Sequence, residues 1–336
     1  MAYIPRFTVT AKVLNDLMKI SNILTRTNLS TFGSVAPHLR RVNRLRSLHS
    51  SLAIEGNSLS LDEVTAIIEG RTVKGPRDEI TEVKNAYEAY GMMDALDPYD
   101  KEDLLKAHAI MMDGLVGSPG EFRTSDEAIV DGEGNMVYIA PHPGEVSRSI
   151  DDLMEWVRSS DYPIIIKSCV FHYEFEYIHP FEDGNGRIGR MWQTLLLSEY
   201  DETFKWLPVE SMIRSNQKEY YEAIAASNES FECTVFLEFM TGVILRSLEE
   251  TMESSVRDTM STTKGLLPND VALFAMIRDG HFRNIRQAAE TIGVSIPTLN
   301  RSLKTLKDAG LIRKEGNKRT GVWVVEGKKM SGPTRI

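Results

Sequence analysis

Apolar residues recur at three- and four-residue steps through most of this chain, and that spacing predicts a mainly α fold. One stripe, Leu39, Val42, Leu45, Leu48 and Leu52, runs through an arginine-rich segment that ends at Glu55-Gly56-Asn57. A second fills 164–178 with Cys169, Phe171, Phe175 and Ile178, and a third follows at Ile188, Met191, Trp192, Leu195 and Leu196. Pro180 should stop the second helix and Gly184-Asn185-Gly186 should open the third, leaving a tight loop between two buried helices. The period shortens to two only briefly. Ala128-Ile129-Val130 and Met136-Val137-Tyr138-Ile139 flank Asp131-Gly132-Glu133-Gly134-Asn135, which predicts one hairpin with a glycine-rich turn.

The C-terminal pattern is different. A helix is followed by Asn284–Ile292, a Gly293 break, and a helix over Ser295–Lys307, with Ser295 as cap, Pro297 in the first turn and Gly310 as terminator. Ile296, Leu299, Leu303 and Leu306 should face inward, leaving Thr298, Asn300, Arg301, Lys304 and Thr305 outward. Short strands at Leu311–Arg313 and Gly321–Val325 flank a basic turn. The run looks like a winged helix-turn-helix, with Ala288, Gly293 and Leu299 at its packing positions; such a module serves DNA binding as well as dimerisation or protein recognition.

Charge sharpens this division. The chain carries a net −9, yet residues 264–336 hold 14 Lys+Arg against 6 Asp+Glu. That shift marks a boundary, with a polar linker expected at 251–263. The expected layout is a helical region over 1–115, a core over 116–250, the linker, and a small α+β domain over 264–330. With 336 residues, 42% of them hydrophobic, the chain can bury at least one large core. Only two cysteines occur, Cys169 and Cys233, both inside apolar helical runs, so no disulfide framework is implied. The N-terminus lacks a signal peptide and no apolar run approaches membrane-spanning length, so a cytoplasmic protein without membrane contact is expected.

The loop His179-Pro180-Phe181-Glu182-Asp183-Gly184-Asn185-Gly186-Arg187-Ile188-Gly189-Arg190 carries the chemistry. A helix start with glycines offers free N–H groups to an anion. Arg187 and Arg190 are three apart and can both reach toward it. Asp183 suits Mg²⁺ held against phosphates, and His179 can accept a proton from a hydroxyl. Together they describe transfer of a phosphate-containing group from a nucleotide.

This run resembles the signature of Fic-domain proteins, His-Pro-Phe-x-[Asp/Glu]-Gly-Asn-Gly-Arg-x-x-Arg, at every fixed position. The resemblance implies a Fic helical bundle that transfers AMP from ATP to a Ser, Thr or Tyr hydroxyl of a target protein. It implies His179 as general base, Asp183 as Mg²⁺ ligand, Gly184, Asn185 and Gly186 as the anion hole, Arg187 as a phosphate contact and Arg190 as the γ-phosphate clamp. Ser51-Leu52-Ala53-Ile54-Glu55-Gly56 resembles the inhibitory motif [Ser/Thr]-x-x-x-Glu-[Gly/Asn] of the same family. That implies a bidentate pair between Glu55 and Arg190, with Ser51 and Gly56 framing it. The hairpin resembles the Fic flap, with Val137, Tyr138 and Ile139 on the edge that pairs with a target; a hairpin that merely shields the bundle is the other reading. Tyr220, Ile224 and Asn228 resemble the adenine-pocket pattern, although such a stripe equally suits a core face. His172, Glu174 and Glu176 read as packing and solvated positions.

Two functions follow from different classes. One is a self-inhibited adenylyltransferase using ATP and Mg²⁺, with other nucleotide donors or AMP removal as variants. The other is a nucleotide-sensing DNA-binding regulator, with Thr298, Asn300, Arg301 and Lys304 toward DNA. The intact His179 favours the enzyme, since a sensor needs the cradle but no base. A homodimer is also expected.

Overall fold

The computed structural model describes residues 4–29, 37–130, 136–262, 265–278, 282–315 and 322–325. In chain order its helices are α1 (Ala11–Leu29), α2 (Pro37–Ile54), α3 (Leu61–Ile68), α4 (Arg77–Gly91), α5 (Lys101–Met111), α6 (Pro143–Ser159), α7 (Ile164–Ile178), α8 (Asn185–Tyr200), α9 (Val209–Ser215), α10 (Gln217–Ser230), α11 (Thr234–Thr262), α12 (Pro268–Arg278), α13 (Ile285–Ile292) and α14 (Ile296–Asp308). The strands form two antiparallel hairpins, β1 (Ala128–Val130) with β2 (Met136–Ile139) and β3 (Ile312–Glu315) with β4 (Val322–Val325). The fold is mainly α. It divides into two compact units, Met1–Ile20 with Val42–Leu248, and Ser21–Arg41 with Glu249–Ile336.

In the first unit α7 and α8 pack against each other, with α6 on α7 and α5 on α8. Cys169, Phe171, Phe175, Met191, Trp192 and Leu196 are all fully buried there. A helix buried on nearly every side is a core helix, and α7 ends where Pro180 withholds its N–H. Helix starts are set locally. Ser60 and Glu63 form a reciprocal capping box on α3, and Asp100 caps α5. Both cysteines are free and buried. No helix among the described residues is long and apolar enough to cross a membrane.

In the second unit α12 packs against α13, α14 and β4 around Leu273, Phe274, Ala288, Leu299, Leu303 and Leu306. Gly293 ends α13 at φ 77° and Ser295 caps α14 through the Thr298 N–H. Ile296, expected inward, is 39% exposed: it sits at the first position of α14, before the helix reaches the core. The boundary between the two units, at Glu249, falls beside the expected linker at 251–263, which is helical. Helix α11 runs on to Thr262, because nothing after Gly242 in this stretch, neither glycine nor proline, breaks it. The basic turn at 316–321 and the hairpin turn at 131–135 lie outside the described residues.

Candidate active site

The loop between α7 and α8 begins with an unusual backbone. Pro180 disfavours right-handed α at the preceding residue, and His179 adopts φ 49° and ψ 62°. A left-handed non-glycine residue persists where its surroundings fix it. The His179 N–H donates to Phe175 O at 3.0 Å, and its carbonyl accepts from Arg123 Nε at 2.7 Å. Its imidazole is on a half-buried residue and makes no hydrogen bond among the described residues.

Phe181 pins the loop. It is fully buried and stacks on His108 at 3.6 Å, with 7° between the rings. His108 Nδ1 accepts from the Gly120 N–H at 2.9 Å, which leaves Nε2 to donate to Asp183 O at 2.9 Å. Burial lowers the His108 pKa, against the bond to Asp183 and with help from Arg187, in keeping with the neutral ring this geometry needs. Asn185 closes the loop on itself: Oδ1 accepts from the Phe181 N–H at 2.9 Å and Nδ2 donates to Phe181 O at 2.8 Å. The Asn185 side chain is thus engaged within the loop rather than turned toward an anion.

Two glycines are required by space. Gly184 has φ +84°, and a Cβ there would lie 2.6 Å from Met112 Sδ. A Cβ on Gly186 would collide with Glu55 Oε1 and lie 2.8 Å from Arg190 Nη1. A carboxylate 131 positions away in sequence thus sits over the first turn of α8, where the N–H groups lack helical partners.

Arg190 explains why it stays. Nη2 donates to Glu55 Oε1 at 2.7 Å and to Ser51 O at 3.1 Å, and Nε donates to Ser51 Oγ at 3.2 Å. The expected bidentate pair is not what forms: the guanidinium fork is shared between one Glu55 oxygen and Ser51. The reason is the tightened last turn of α2, where the Glu55 N–H turns to Leu52 O and frees the Ser51 carbonyl. Gly56, at φ +95°, then ends the helix. Burial opposes the Arg190 charge, but Glu55, Tyr220 and Glu176 outweigh it and hold the pKa well above the ordinary range.

Arg187 takes other partners. Nη1 meets Glu82 Oε1 at 3.1 Å and Nη2 lies 3.1 Å from both Asp183 oxygens, while the buried Nε has no partner. Glu82 Oε2 in turn accepts from Asn57 Nδ2 at 2.7 Å. So the two arginines, expected on one anion, are held by different carboxylates in this state.

The remaining site residues divide. Tyr220 is 2% exposed and its hydroxyl lies 3.0 Å from His172 Nε2, so it faces the core; Ile224 and Asn228 are half-buried, and Tyr173 donates to Asn228 Oδ1 at 2.9 Å. His172, Glu174 and Glu176 are not solvated: the first two are buried, and Glu176 Oε1 turns inward 3.7 Å from His172 Nε2. In the hairpin, Ile129 pairs with Tyr138 and Ala128 with Ile139, which is 60% exposed. Val137 holds a strand position, but its side chain lies outside the described residues. Arg123, His108, Glu82 and Asn57 were not singled out by the sequence. Only Asn57, directly after Glu55-Gly56, and Arg123, just before the hairpin, lay beside a recognised signal.

Among the described residues no three His, Cys, Asp or Glu side chains gather to hold a metal. Asp183, just before the start of α8, is 60% exposed at its side chain and accepts from Arg187 and the Gly184 N–H. That donor set fits Mg²⁺, which takes one or two carboxylates and completes its shell with phosphates and water.

Comparison with known proteins gives a consistent picture. The Fic/DOC family model matches residues 98–197. A crystal structure of a Fic family protein from Desulfovibrio desulfuricans G20 shares 33% identity and a TM-score of 0.74, covering 97% of this chain and 99% of that one. Protein adenylyltransferase Fic of Aedes aegypti is 27% identical over 240 residues, 67% of this chain and 45% of that protein. The Nematostella vectensis protein of the same name is 26% identical over 229 residues, 63% of this chain and 48% of that protein. The chain spans about half the length of these two adenylyltransferases.

Proposed function

Because this chain belongs to the Fic family, we propose that it is a protein adenylyltransferase held in a self-inhibited state by Glu55. In the reaction, an acceptor hydroxyl oxygen forms a bond to the α-phosphorus of ATP and its proton passes to the His179 imidazole. Pyrophosphate leaves with the electron pair of the broken P–O bond. The start of α8 binds phosphate through its main-chain N–H groups, and Arg187 and Arg190 neutralise its charge. Asp183 would hold Mg²⁺, which when bound spreads the phosphate charge.

One observation carries this reading: Glu55 occupies the space over Gly186 while engaging Arg190. A carboxylate seated where an anion would sit, on the arginine that would clamp it, is what a built-in competitor of phosphate requires. Its support is geometric and independent of the motif match, since α2 and the loop meet only in the fold. The test is incorporation of label from α-³²P-ATP into protein by the full chain. His179→Ala should lower it by about 10²–10⁴-fold while the ATP-induced melting shift persists. Labelling by His179→Ala within tenfold of the parent would refute the base assignment.

A second reading concerns the other unit. On α14, Asn300, Arg301, Lys304 and Thr305 are exposed and Thr298 is half-buried, with Ile296, 39% exposed, as the large apolar side chain at the edge of this face. A polar face with two cations suits the phosphates and base edges of duplex DNA better than a protein dock, which would need apolar anchors. The full chain should shift duplex DNA at low salt, with affinity falling steeply as salt rises. Arg301→Ala and Lys304→Ala should each weaken it; an unshifted duplex at low salt would refute the reading.

A further inference from the structure

Arg123 is the most heavily engaged side chain near the loop, and no phosphate-binding role absorbs it. Its side chain is fully buried, yet the nearest carboxylate oxygen, Glu127 Oε2, is 4.0 Å away. Its donors go instead to main-chain carbonyls. Nε meets His179 O at 2.7 Å, Nη2 meets Ile178 O at 3.4 Å and also Pro141 O, and Nη1 meets Ser125 O at 2.8 Å. Its own N–H donates to Pro180 O at 2.9 Å.

These acceptors belong to three separate segments. Ile178, His179 and Pro180 form the turn that carries the imidazole. Ser125 lies just before β1, and Pro141 just after β2. One guanidinium therefore ties the left-handed His179 to both feet of the hairpin. A buried cation is tolerable only when its donors are satisfied, and a planar fork of five donors can reach carbonyls in several directions at once. Lysine, with three donors on a single nitrogen, cannot. A second tie runs parallel: Tyr138 Oη on β2 donates to Tyr177 O at 2.6 Å. That bond reaches the end of α7 but not His179.

We propose that Arg123 is a positioning residue that locks the base-bearing turn to the hairpin, so that a hydroxyl delivered along β2 meets the His179 imidazole in reacting register. This rests on the adenylyltransferase reading and adds to it the coupling between acceptor docking and proton removal. ATP should not depend on Arg123, because its phosphates are assigned to the start of α8, Arg187 and Arg190, none of which Arg123 touches in this structure. A misplacement of about 1 Å at a reacting group costs on the order of 10²-fold in rate.

The experiment uses the full chain carrying Glu55→Gly, with and without Arg123→Lys, and with Arg123→Gln as a second variant. Initial rates of α-³²P labelling of the chain and of proteins in a cell extract are measured against ATP concentration, beside the ATP·Mg²⁺ melting shift. The expected result is a kcat about 10²-fold lower in both variants, with KM for ATP within about twofold of the parent and the melting shift retained. An unchanged kcat overturns the inference while leaving the transferase reading intact. Parallel loss of ATP binding and labelling also overturns it, since that is the signature of a bulk structural role. A Glu55→Gly parent that labels nothing overturns the transferase reading, and this inference with it.

Discussion

Glu55→Gly frees Arg190 without dismantling its seat. Ser51 still offers Oγ at 3.2 Å and its carbonyl at 3.1 Å, so the guanidinium keeps its place when the 2.7 Å bond to Glu55 is lost. A hydrogen bond between charged groups contributes about 1.5–3 kcal/mol. The Arg190 side chain is 1% exposed but that of Glu55 is 33% exposed, which calls for a discount to about 1–2 kcal/mol. Two effects follow with opposite signs. The ligand-free variant should be less stable by roughly that amount, or about 2–4 °C in Tm per kcal/mol for a unit of this size. ATP no longer has to displace the carboxylate, so its affinity should rise by about 5–30-fold, at about 1.4 kcal/mol per factor of ten. Labelling at sub-saturating ATP should rise at least in proportion. The assay is one labelling time course with α-³²P-ATP and one melt with and without ATP·Mg²⁺. Unchanged labelling together with an unchanged ATP-induced shift would refute the idea that Glu55 competes with phosphate.

Further outcomes are expected from the same geometry. Asp183→Ala should abolish labelling and reduce the ATP·Mg²⁺ melting shift to the value seen with ATP and EDTA; a shift that still responds to Mg²⁺ would remove Asp183 as the ligand. Arg190→Ala should weaken ATP binding in a titration even in the Glu55→Gly background. His49, on α2, should make stability depend on pH. Its Nε2 lies 3.1 Å from Leu59 O and its Nδ1 3.2 Å from Arg214 Nη1, and burial, then Arg214, lowers its pKa. A lowered folded pKa means that the unfolded chain takes up the proton first, so stability is full above about pH 6.5 and falls as the pH drops below it. Melts between pH 8 and 5.5 should show this slope, and His49→Gln should flatten part of it.

Periodicity located α7, α8 and the strands of both hairpins because each is locally determined: a continuous apolar helix, a proline stop, a short run of period two. The contact between Glu55 and Arg190 was legible only through the paired motifs, since no local rule joins residues 135 positions apart. What escaped was the way polar groups are shared. Glu82 on Arg187 and Ser51 on Arg190 arise because buried donors must find acceptors in three dimensions, and separations of 105 and 139 positions leave no period to read. Helix α2 shows the same limit. Leu48 and Leu52 are buried as the stripe predicted, but Val42 is 36% exposed, and the neighbouring buried face is polar: Asn43, Ser47, Ser50 and Ser51. The segment expected as a linker is helical because no glycine or proline interrupts α11 after Gly242 and because the segment's first residue, Thr251, is still buried.

That mixed face of α2 bears on how the proposed inhibition would be relieved. Leu48 and Leu52 are each 1% exposed, and lifting the helix would return both side chains to water at about 1.5–3 kcal/mol apiece. It would also break the bond between Ser50 Oγ and Ser211 Oγ at 3.0 Å and the one from Gln217 Nε2 to Ile54 O at 3.2 Å. The Glu55 contact is worth about 1–2 kcal/mol by the estimate above, which is well below the cost of undocking the helix. A phosphate competing for Arg190 therefore has a cheaper route in rotating one partly exposed side chain at the last turn, beside Gly56, while the rest of α2 stays seated. On these magnitudes the proposed inhibition would reside in the Glu55 carboxylate, with α2 as the arm that presents it.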